Sequence, residues 1–554
     1  MVKMSQYMTT TYCKSGAKGQ FDPPAVLRYR RPNNRYSPEY EQNGMTLEDF
    51  EMYRPGGYHP VHIGDVLDEQ YEVVHKLGSG GYGTVWLCFD KVSRCWKSVK
   101  IIVAHYSNGS CPELEFTEIL NDSKFVEAPE KYFWIDGPNG KHLALVLPVL
   151  GPPIWMLPCL TSDPATLRNA CRQVALALRD IHSNGILHND FRTSNILLRM
   201  HSIDSLTKEQ LWELLGAPTS AEYNEPIVTV NRDDPRPHAP RYAVRSVDLR
   251  RLQDWIIGDE IAVIDFGLAT KVSCPRRGFA VPPGYAAPEL LISRDLYSQS
   301  SDVWTFAHSI LEIYTGNAPW GDNSFNAIGC MERFLGPLPE KYRQDYAENH
   351  PPPSPTANKG ELEHDNVEGG SGDGYDDDED DYDYDYDDPY DFAWPRMPID
   401  PKLEGNYLHW KPKELQAERE EMQKKTGYVD ILNGALSGDK SVGGFGAVKK
   451  RTYHLPRHEL LQLSDLLRRM FRYEPEKRLS PEEVLDHPWF ARSDPTSQLE
   501  AGQDTSLPQN VNDGVKELMD LVRDTAKGTS KQQCDVARIL ATAKDGLAAL
   551  KRQA

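Results

Sequence analysis

Several short patches of this sequence carry residue types that can do chemistry on a phosphate. The first is Gly78-Ser-Gly80-Gly-Tyr-Gly83-Thr-Val85, a G-x-G-x-x-G-x-V pattern between two strand-like runs. Glycines let a backbone bend tightly and turn its N–H groups toward an anion. Lys100 follows in the apolar run Val99-Lys-Ile101, where an inward ammonium suits a phosphate anchor. His188-Asn-Asp190-Phe-Arg192-Thr-Ser-Asn195 sets an Asp and an Asn with four residues between them in the pattern H-x-D-x-x-x-x-N. Such an Asp orients a hydroxyl and accepts its proton, and such an Asn holds a metal ion. Asp265-Phe-Gly267 follows the apolar residues 261–264, and a carboxylate at a strand end is a good magnesium ligand. Ala287-Pro-Glu289, Asp302 and Arg478 come later. Taken singly, each patch has an ordinary explanation: a Gly-rich hairpin, a surface lysine, a capped helix end. Their joint order has none.

Elements must position these groups. Residues 71–77, 84–90 and 95–103 read as strands separated by Gly-rich or polar turns, and 131–135 and 143–147 as two more. Helical spacing then takes over. Leu167, Cys171, Val174, Leu178 and Ile181 mark one helix over 164–183; Val303, Phe306, Ala307, Ile310 and Tyr314 mark a second. Leu460, Leu463, Leu466, Leu467 and Met470 mark a third. A strand-rich part before a helix-rich part predicts an α+β chain with two lobes. The expected organisation is a mobile arm at 1–65, a small lobe at 66–150 and a large lobe at 151–490. A linker at 491–511 and a helical tail at 512–554 follow. Two insertions interrupt the large lobe. Residues 200–258 hold a short helix opened by a Thr207/Gln210 capping box and stopped at Gly216. Residues 351–393 alternate Asp and Tyr and cannot bury enough to offset chain entropy, so a disordered loop is expected.

Composition narrows the function classes. The 554 residues include 82 Asp+Glu against 62 Lys+Arg, a net charge of −20. That balance disfavours broad binding to nucleic acid or an anionic membrane. Sixteen of the acidic residues lie between Glu361 and Asp391 with no Lys or Arg among them, so the remainder is near neutral. Nine cysteines without a C-x-x-C pair argue against a disulfide framework or a zinc site and for a reducing compartment. No apolar leader opens the sequence. Residues 142–160 lack Asp, Glu, Lys and Arg, but Pro148, Pro152, Pro153 and Pro158 interrupt them. A buried strand and a turn fit there better than a membrane span. The expectation is a monomer in the cytoplasm, the nucleus or both, with no direct nucleic-acid or membrane partner.

Together the motifs resemble the eukaryotic protein kinase family over roughly residues 71–490. The chain looks closest to the fungal SR-protein-kinase-like serine/threonine branch. Tyr58-His-Pro-Val-His-Ile-Gly-Asp65, Gly137-Pro-Asn-Gly-Lys-His-Leu143, Val149-Leu-Gly-Pro152, Pro282-Pro-Gly-Tyr-Ala-Ala-Pro-Glu289 and the long spacer before Asp265 carry that likeness. The resemblance implies a bilobal kinase fold with two insertions, ATP and Mg2+ as cofactors, and Arg/Ser-rich or basic protein substrates. It implies that Leu77, Gly78, Gly80, Gly83 and Val85 cover ATP. Lys100 would hold its phosphates and pair with Glu113, with Glu115 and Glu118 as rivals. Leu147 would gate the adenine, Val149 and Leu150 form the hinge, and Leu197 lie under the base. Asp190 would be the base, Arg192 the phosphate-facing cation, and Asn195 and Asp265 the metal ligands. Glu289 and Arg478 would pair, and Asp302 would brace the catalytic loop.

Four positions depart from the family pattern: Ser98, Pro148, the Thr missing near Val281 and Pro282, and Asn189. Asn189 replaces an Arg that reads a phosphate, so activity is expected not to require phosphorylated Thr270 or Ser273. A non-catalytic scaffold that holds basic partners through the acidic tract is the alternative. The bland reading of that tract is a solvated loop.

Overall fold

The computed structural model describes residues 47–315 with short gaps, of which 219–233 and 248–256 are the longest, then 324–349, 439–442, 451–490 and isolated positions between 420 and 437. The acidic insertion 351–393, the linker 491–511 and the tail 512–554 lie outside the described residues.

Strands β1 (Val66–Leu67), β2 (Tyr71–Gly80), β3 (Gly83–Asp90), β4 (Cys95–Ile102), β5 (Lys131–Gly137) and β6 (Gly140–Leu147) form one antiparallel sheet, ordered β1-β2-β3-β4-β6-β5. Five of these strands are legible as strand-like runs between turns; two-residue β1 is too short to be read that way. Alternation sends Val73, Trp86, Val99, Ile101, Ala144 and Val146 into one apolar cluster. On the other face Val85 lies opposite both Gly78 and Lys100, Leu145 opposite Lys100, and Leu147 opposite Ser98. Directly opposed residues share a face. Lys100 therefore emerges among Val85, Leu145 and Leu147. Helix α1 (Pro112–Ile119) packs on that face through Leu114.

The large lobe follows. Its elements are α2 (Pro164–Ser183), β7 (Ile186–Leu187), β8 (Ile196–Met200), α3 (Lys208–Leu215), β9 (Ile257–Val263), β10 (Thr270–Lys271), α4 (Pro288–Leu291), α5 (Gln299–Thr315), α6 (Ser324–Leu335), α7 (Glu340–Asn349), β11 (Asp439–Val442), β12 (Arg451–His454), α8 (Arg457–Met470) and α9 (Pro481–Leu485). Asp163 caps α2 by accepting from the N–H groups of Ala165 and Thr166. The apolar stripe of α2 (Leu167, Cys171, Val174, Leu178, Ile181) is fully buried in one core with the marked residues of α5 and α8. Among the described residues no helix is long and apolar enough to cross a membrane, and residues 142–160 hold most of β6, a connecting segment, a 3-10 turn at Ile154–Met156 and a one-turn helix at Leu157–Leu160.

Two segments lie elsewhere than expected. Residues 47–65, read as mobile arm, are packed on the small lobe. Phe50, Tyr53 and Tyr58 are buried with Val103, Ala239 and Ala243, and Glu48 makes a buried ion pair with Lys76. These apolar residues have no helical or strand period, so tertiary contacts hold them and periodicity cannot reveal them.

The first insertion likewise joins the small lobe rather than standing off the large one. The capping box of Thr207 and Gln210 is present, and α3 ends at Gly216 with φ of 89°. Leu211 and Leu215 pack with Val74, Leu87 and Trp96, with Leu77 and Val149 at the rim. Trp96 N donates to Asp204 at 2.8 Å, Val247 N to Lys76 O at 2.9 Å and Ile63 N to the Tyr242 hydroxyl at 3.3 Å. The leucines needed a partner surface, and the β2–β4 sheet supplies it. Thr207→Ala is expected to cost about 1 kcal/mol, the usual worth of such a cap. Chemical denaturation checks this, and unchanged stability would show that the cap does not hold the helix.

Candidate active site

The Lys100 ammonium donates to Glu113 Oε2 at 2.7 Å and to Asp265 Oδ1 at 2.8 Å. Glu113 is buried on α1, whereas Glu115 reaches outward to Lys271 at 2.7 Å. The geometry thus gives the lysine to Glu113 among the three candidates. Burial works to lower Lys100, but the Asp265 and Glu113 carboxylates overcome it and hold the ammonium above its ordinary value. Burial also works to raise Asp265, and Lys100 keeps it below the usual carboxylate range. Glu113 stays raised by burial despite Lys100. The cation and the Asp265 anion are each stabilised by the other.

Asp190 sits on the loop between β7 and β8. Its Oδ1 accepts from Arg192 Nε at 2.9 Å and its Oδ2 from Asn195 Nδ2 at 2.6 Å. The Arg192 guanidinium also bonds Ser194. Burial pushes the Asp190 carboxyl up to about 7; Arg192 pulls against this and the Asp265 carboxylate adds to it. Asp302, fully buried on α5, accepts from His188 N at 3.0 Å, Asn189 N at 3.1 Å and His182 Nε2 at 3.0 Å. One carboxylate therefore fixes two consecutive backbone N–H groups beside Asp190. His188 Nε2 meets Ile264 O at 3.2 Å, and Ile264 N donates to Asn195 O at 3.0 Å, which ties the Asp190 loop to the one carrying Asp265. Asn189 and Asp265 adopt left-handed backbone, φ 65° and 66°. Asn and Asp tolerate that region better than most residues.

Gly78, Gly80 and Gly81 would meet no heavy atom within 4 Å if given a Cβ, and none has positive φ. Neither packing nor strain calls for glycine there, and the space left open borders Val85 and Lys100 across the ladder. Gly83 differs: its Cβ would lie 2.3 Å from Ile101 O, so this glycine serves sheet packing. Half-buried Leu197 lies between the buried Ile196 and Leu198 on β8 and bridges to Pro153. Gly151 N and Leu198 N donate into this crossing, which lays the Val149-Leu150 segment along β8. The site thus joins an open glycine cradle, an apolar wall and two side chains, Asn195 and Asp265, whose oxygens could hold a cation. The Asn195 amide nitrogen is engaged by Asp190, leaving its oxygen for a cation. Among the described residues no three His, Cys, Asp or Glu gather as a metal cage. Oxygens of an amide and a carboxylate are of the hard type that a magnesium ion takes together with phosphate oxygens.

The structure adds residues that motif reading passed over. Glu312 of α5 accepts from the Thr193 hydroxyl at 2.7 Å and the Tyr285 hydroxyl at 2.8 Å, so it links the Asp190 loop to the segment before Glu289. A lone carboxylate in the apolar run Ile310-Leu-Glu-Ile313 was the available signal. Asn189 Nδ2 donates to Leu268 O at 2.7 Å and Thr270 Oγ1 at 2.9 Å, fixing the chain after Asp265 directly. Glu289 and Arg478 form a buried bidentate pair at 2.7 and 2.6 Å.

Comparison with known proteins agrees with this geometry. The family model "Protein kinase domain" matches residues 71–207 and 254–369. The chain is 35% identical over 169 residues to the serine/threonine-protein kinase spk-1 of Caenorhabditis briggsae, covering 28% of this chain and 15% of that protein. It is 34% identical over 195 residues to SRSF protein kinase 3 of Homo sapiens, covering 31% and 33%. It is 30% identical over 188 residues to protein kinase dsk1 of Schizosaccharomyces pombe, covering 31% and 34%. The matched part spans about a third or less of these relatives. With its two-lobed fold and these matches, the chain is similar to the protein kinase family and, within it, to the SR-protein kinases.

Proposed function

We propose that this chain transfers the γ-phosphoryl group of ATP to serine or threonine hydroxyls of proteins, with Arg/Ser-rich or other basic proteins as substrates. The family uses ATP with a divalent metal ion. The observation that carries the reading is the meeting of two loops. One presents Asp190 between Arg192 and Asn195, and the other presents Asp265 against Lys100.

The roles follow from chemistry. The backbone N–H groups around Gly78 and Gly80 face the phosphates, and the Lys100 ammonium holds them. Leu77, Val85, Leu147, Val149, Leu150 and Leu197 enclose the adenine. Asn195 and Asp265 hold Mg2+, which when bound neutralises charge on the phosphate oxygens. Asp190 orients the acceptor hydroxyl and takes its proton, and Arg192 offsets charge on the transferred group. Turnover of roughly 1–100 per second is expected. Arg192, two residues after Asp190, favours Ser and Thr over Tyr as acceptors. The SR-protein relatives support the substrate class. The enzyme acts as a monomer in the cytoplasm or nucleus.

The test is radiolabelled transfer by the purified full chain to an Arg/Ser-repeat peptide and to a generic basic protein. Transfer to the peptide in preference to the basic protein is expected. Lys100→Met should lower kcat/KM at least about 100-fold, as when one preorganised charge is removed. A folded wild-type chain that binds ATP but transfers to neither acceptor would replace this reading with a scaffold.

A further inference from the structure

We infer that residues 47–58 form a clamp on the Gly-rich hairpin, and that the Tyr58 hydroxyl is a positioning residue for the nucleotide. This rests on the reading that residues 78–83 cover ATP. The hairpin between β2 and β3 is built from glycines, which have the largest backbone freedom. Gly78, Gly80 and Gly81 have nothing within 4 Å where a side chain would begin, so beyond the β2–β3 ladder no side-chain packing restrains them.

Tyr58 supplies a restraint from outside. It is 3% exposed, and its hydroxyl donates to Gly80 O at 2.8 Å. Its own backbone is fixed on both sides: Tyr58 N donates to Met52 O at 2.8 Å, and Asn139 Nδ2 donates to Tyr58 O at 2.6 Å. Asn139 is buried and also donates to His238 O at 2.7 Å, which ties the clamp to the first insertion.

A second grip lies at the hairpin base. The Tyr53 ring meets the Tyr58 ring edge-on at 5.6 Å, and the Tyr53 hydroxyl donates to Glu48 Oε1 at 2.7 Å. The other Glu48 oxygen pairs with Lys76, which is fully buried and precedes Leu77. The segment therefore holds the hairpin at Lys76 and again at Gly80. Ordering the glycines before ATP arrives removes that entropy cost from binding. The hydroxyl points at a backbone carbonyl and not into the cradle, so it acts through the loop.

Tyr58→Phe removes one oxygen and keeps the ring. In the full chain KM for ATP is expected to rise about fivefold, the worth of one net hydrogen bond. At saturating ATP, kcat should stay within about twofold, because the catalytic loop is untouched. Amide hydrogen exchange should quicken at 78–83 and stay unchanged across α2. Val61→Ala is the control: it opens a cavity in the sheet core beyond the clamp, lowers the thermal midpoint and leaves KM for ATP unmoved. Unchanged KM and exchange in Tyr58→Phe overturn the clamp, and so does an equal rise of KM in Val61→Ala. If the wild type binds no ATP, the functional reading fails, and hydrogen exchange alone decides the clamp.

Discussion

Asp190→Ala is expected to lower phosphoryl transfer by about 10²–10⁴-fold, the usual worth of a positioned proton acceptor. Binding of ATP should change little, because Lys100, Glu113 and Asp265 make their contacts without Asp190. The fold should not suffer. Burial raises the Asp190 carboxyl to about 7, so this side chain is held against its own preference. Arg192 and Asn195 keep other partners: Arg192 bonds Ser194, and Asn195 Nδ2 also donates to Asp190 O at 3.0 Å, a backbone bond that alanine retains. The variant should therefore melt at or above the wild-type temperature while losing activity, the pattern of a residue kept for chemistry rather than stability. Single-turnover transfer and thermal denaturation of the same preparation check both halves. A residual rate within tenfold of wild type would remove Asp190 from the role of base.

Arg478→Ala carries the largest stability change. Its guanidinium is buried over the Trp304 ring at 4.9 Å and bonds both Glu289 oxygens. It also donates to the carbonyls of Arg472 at 2.7 Å, Ser300 at 2.9 Å and Tyr473 at 3.2 Å. Removing it leaves the Glu289 carboxylate, 2% exposed, with the Ser301 hydroxyl at 3.0 Å as its remaining side-chain partner shown. Breaking a buried pair in this way costs about 3–5 kcal/mol. Arg478→Lys should recover little, since an ammonium cannot match the planar fork. Replacing both partners with apolar residues, Glu289→Leu with Arg478→Met, should recover part of the loss. Denaturant titration measures the series; a loss below about 1 kcal/mol in Arg478→Ala would show the pair to be dispensable.

Local pattern carried much of what was legible. Strand-like runs bounded by Gly-rich or polar turns marked five of the six sheet strands, period 3.6 marked α2, α5 and α8, and the Thr207/Gln210 pair marked α3. The motif order by itself groups Lys100, Asp190, Asn195 and Asp265 in one site. Contacts between residues far apart in the chain were not legible. Nothing near Tyr58 announces a bond to Gly80, and nothing about Leu211, Leu215, Tyr242 or Val247 announces the sheet they cover. Glu113 could not be separated from Glu115 by sequence because both stand in the first turn of α1. Only the helix azimuth turns one toward Lys100 and the other toward Lys271. Glu312 was hidden for the same reason, since its partners Thr193 and Tyr285 lie on two other segments.

The closure of the small lobe by Tyr242 and Val247 bears on how the polypeptide is made. On the ribosome all six strands emerge before the residues that seal them. Val74, Leu87 and Trp96 then await Leu211 and Leu215, and Ile63 and Lys76 await still later partners. A nascent chain paused between Leu147 and Val247 exposes an apolar sheet surface, the kind that chaperones bind and that aggregates when they do not. Cutting the gene between the lobes would leave the sheet without its cover, because Leu211, Leu215, Tyr242 and Val247 come from beyond the cut.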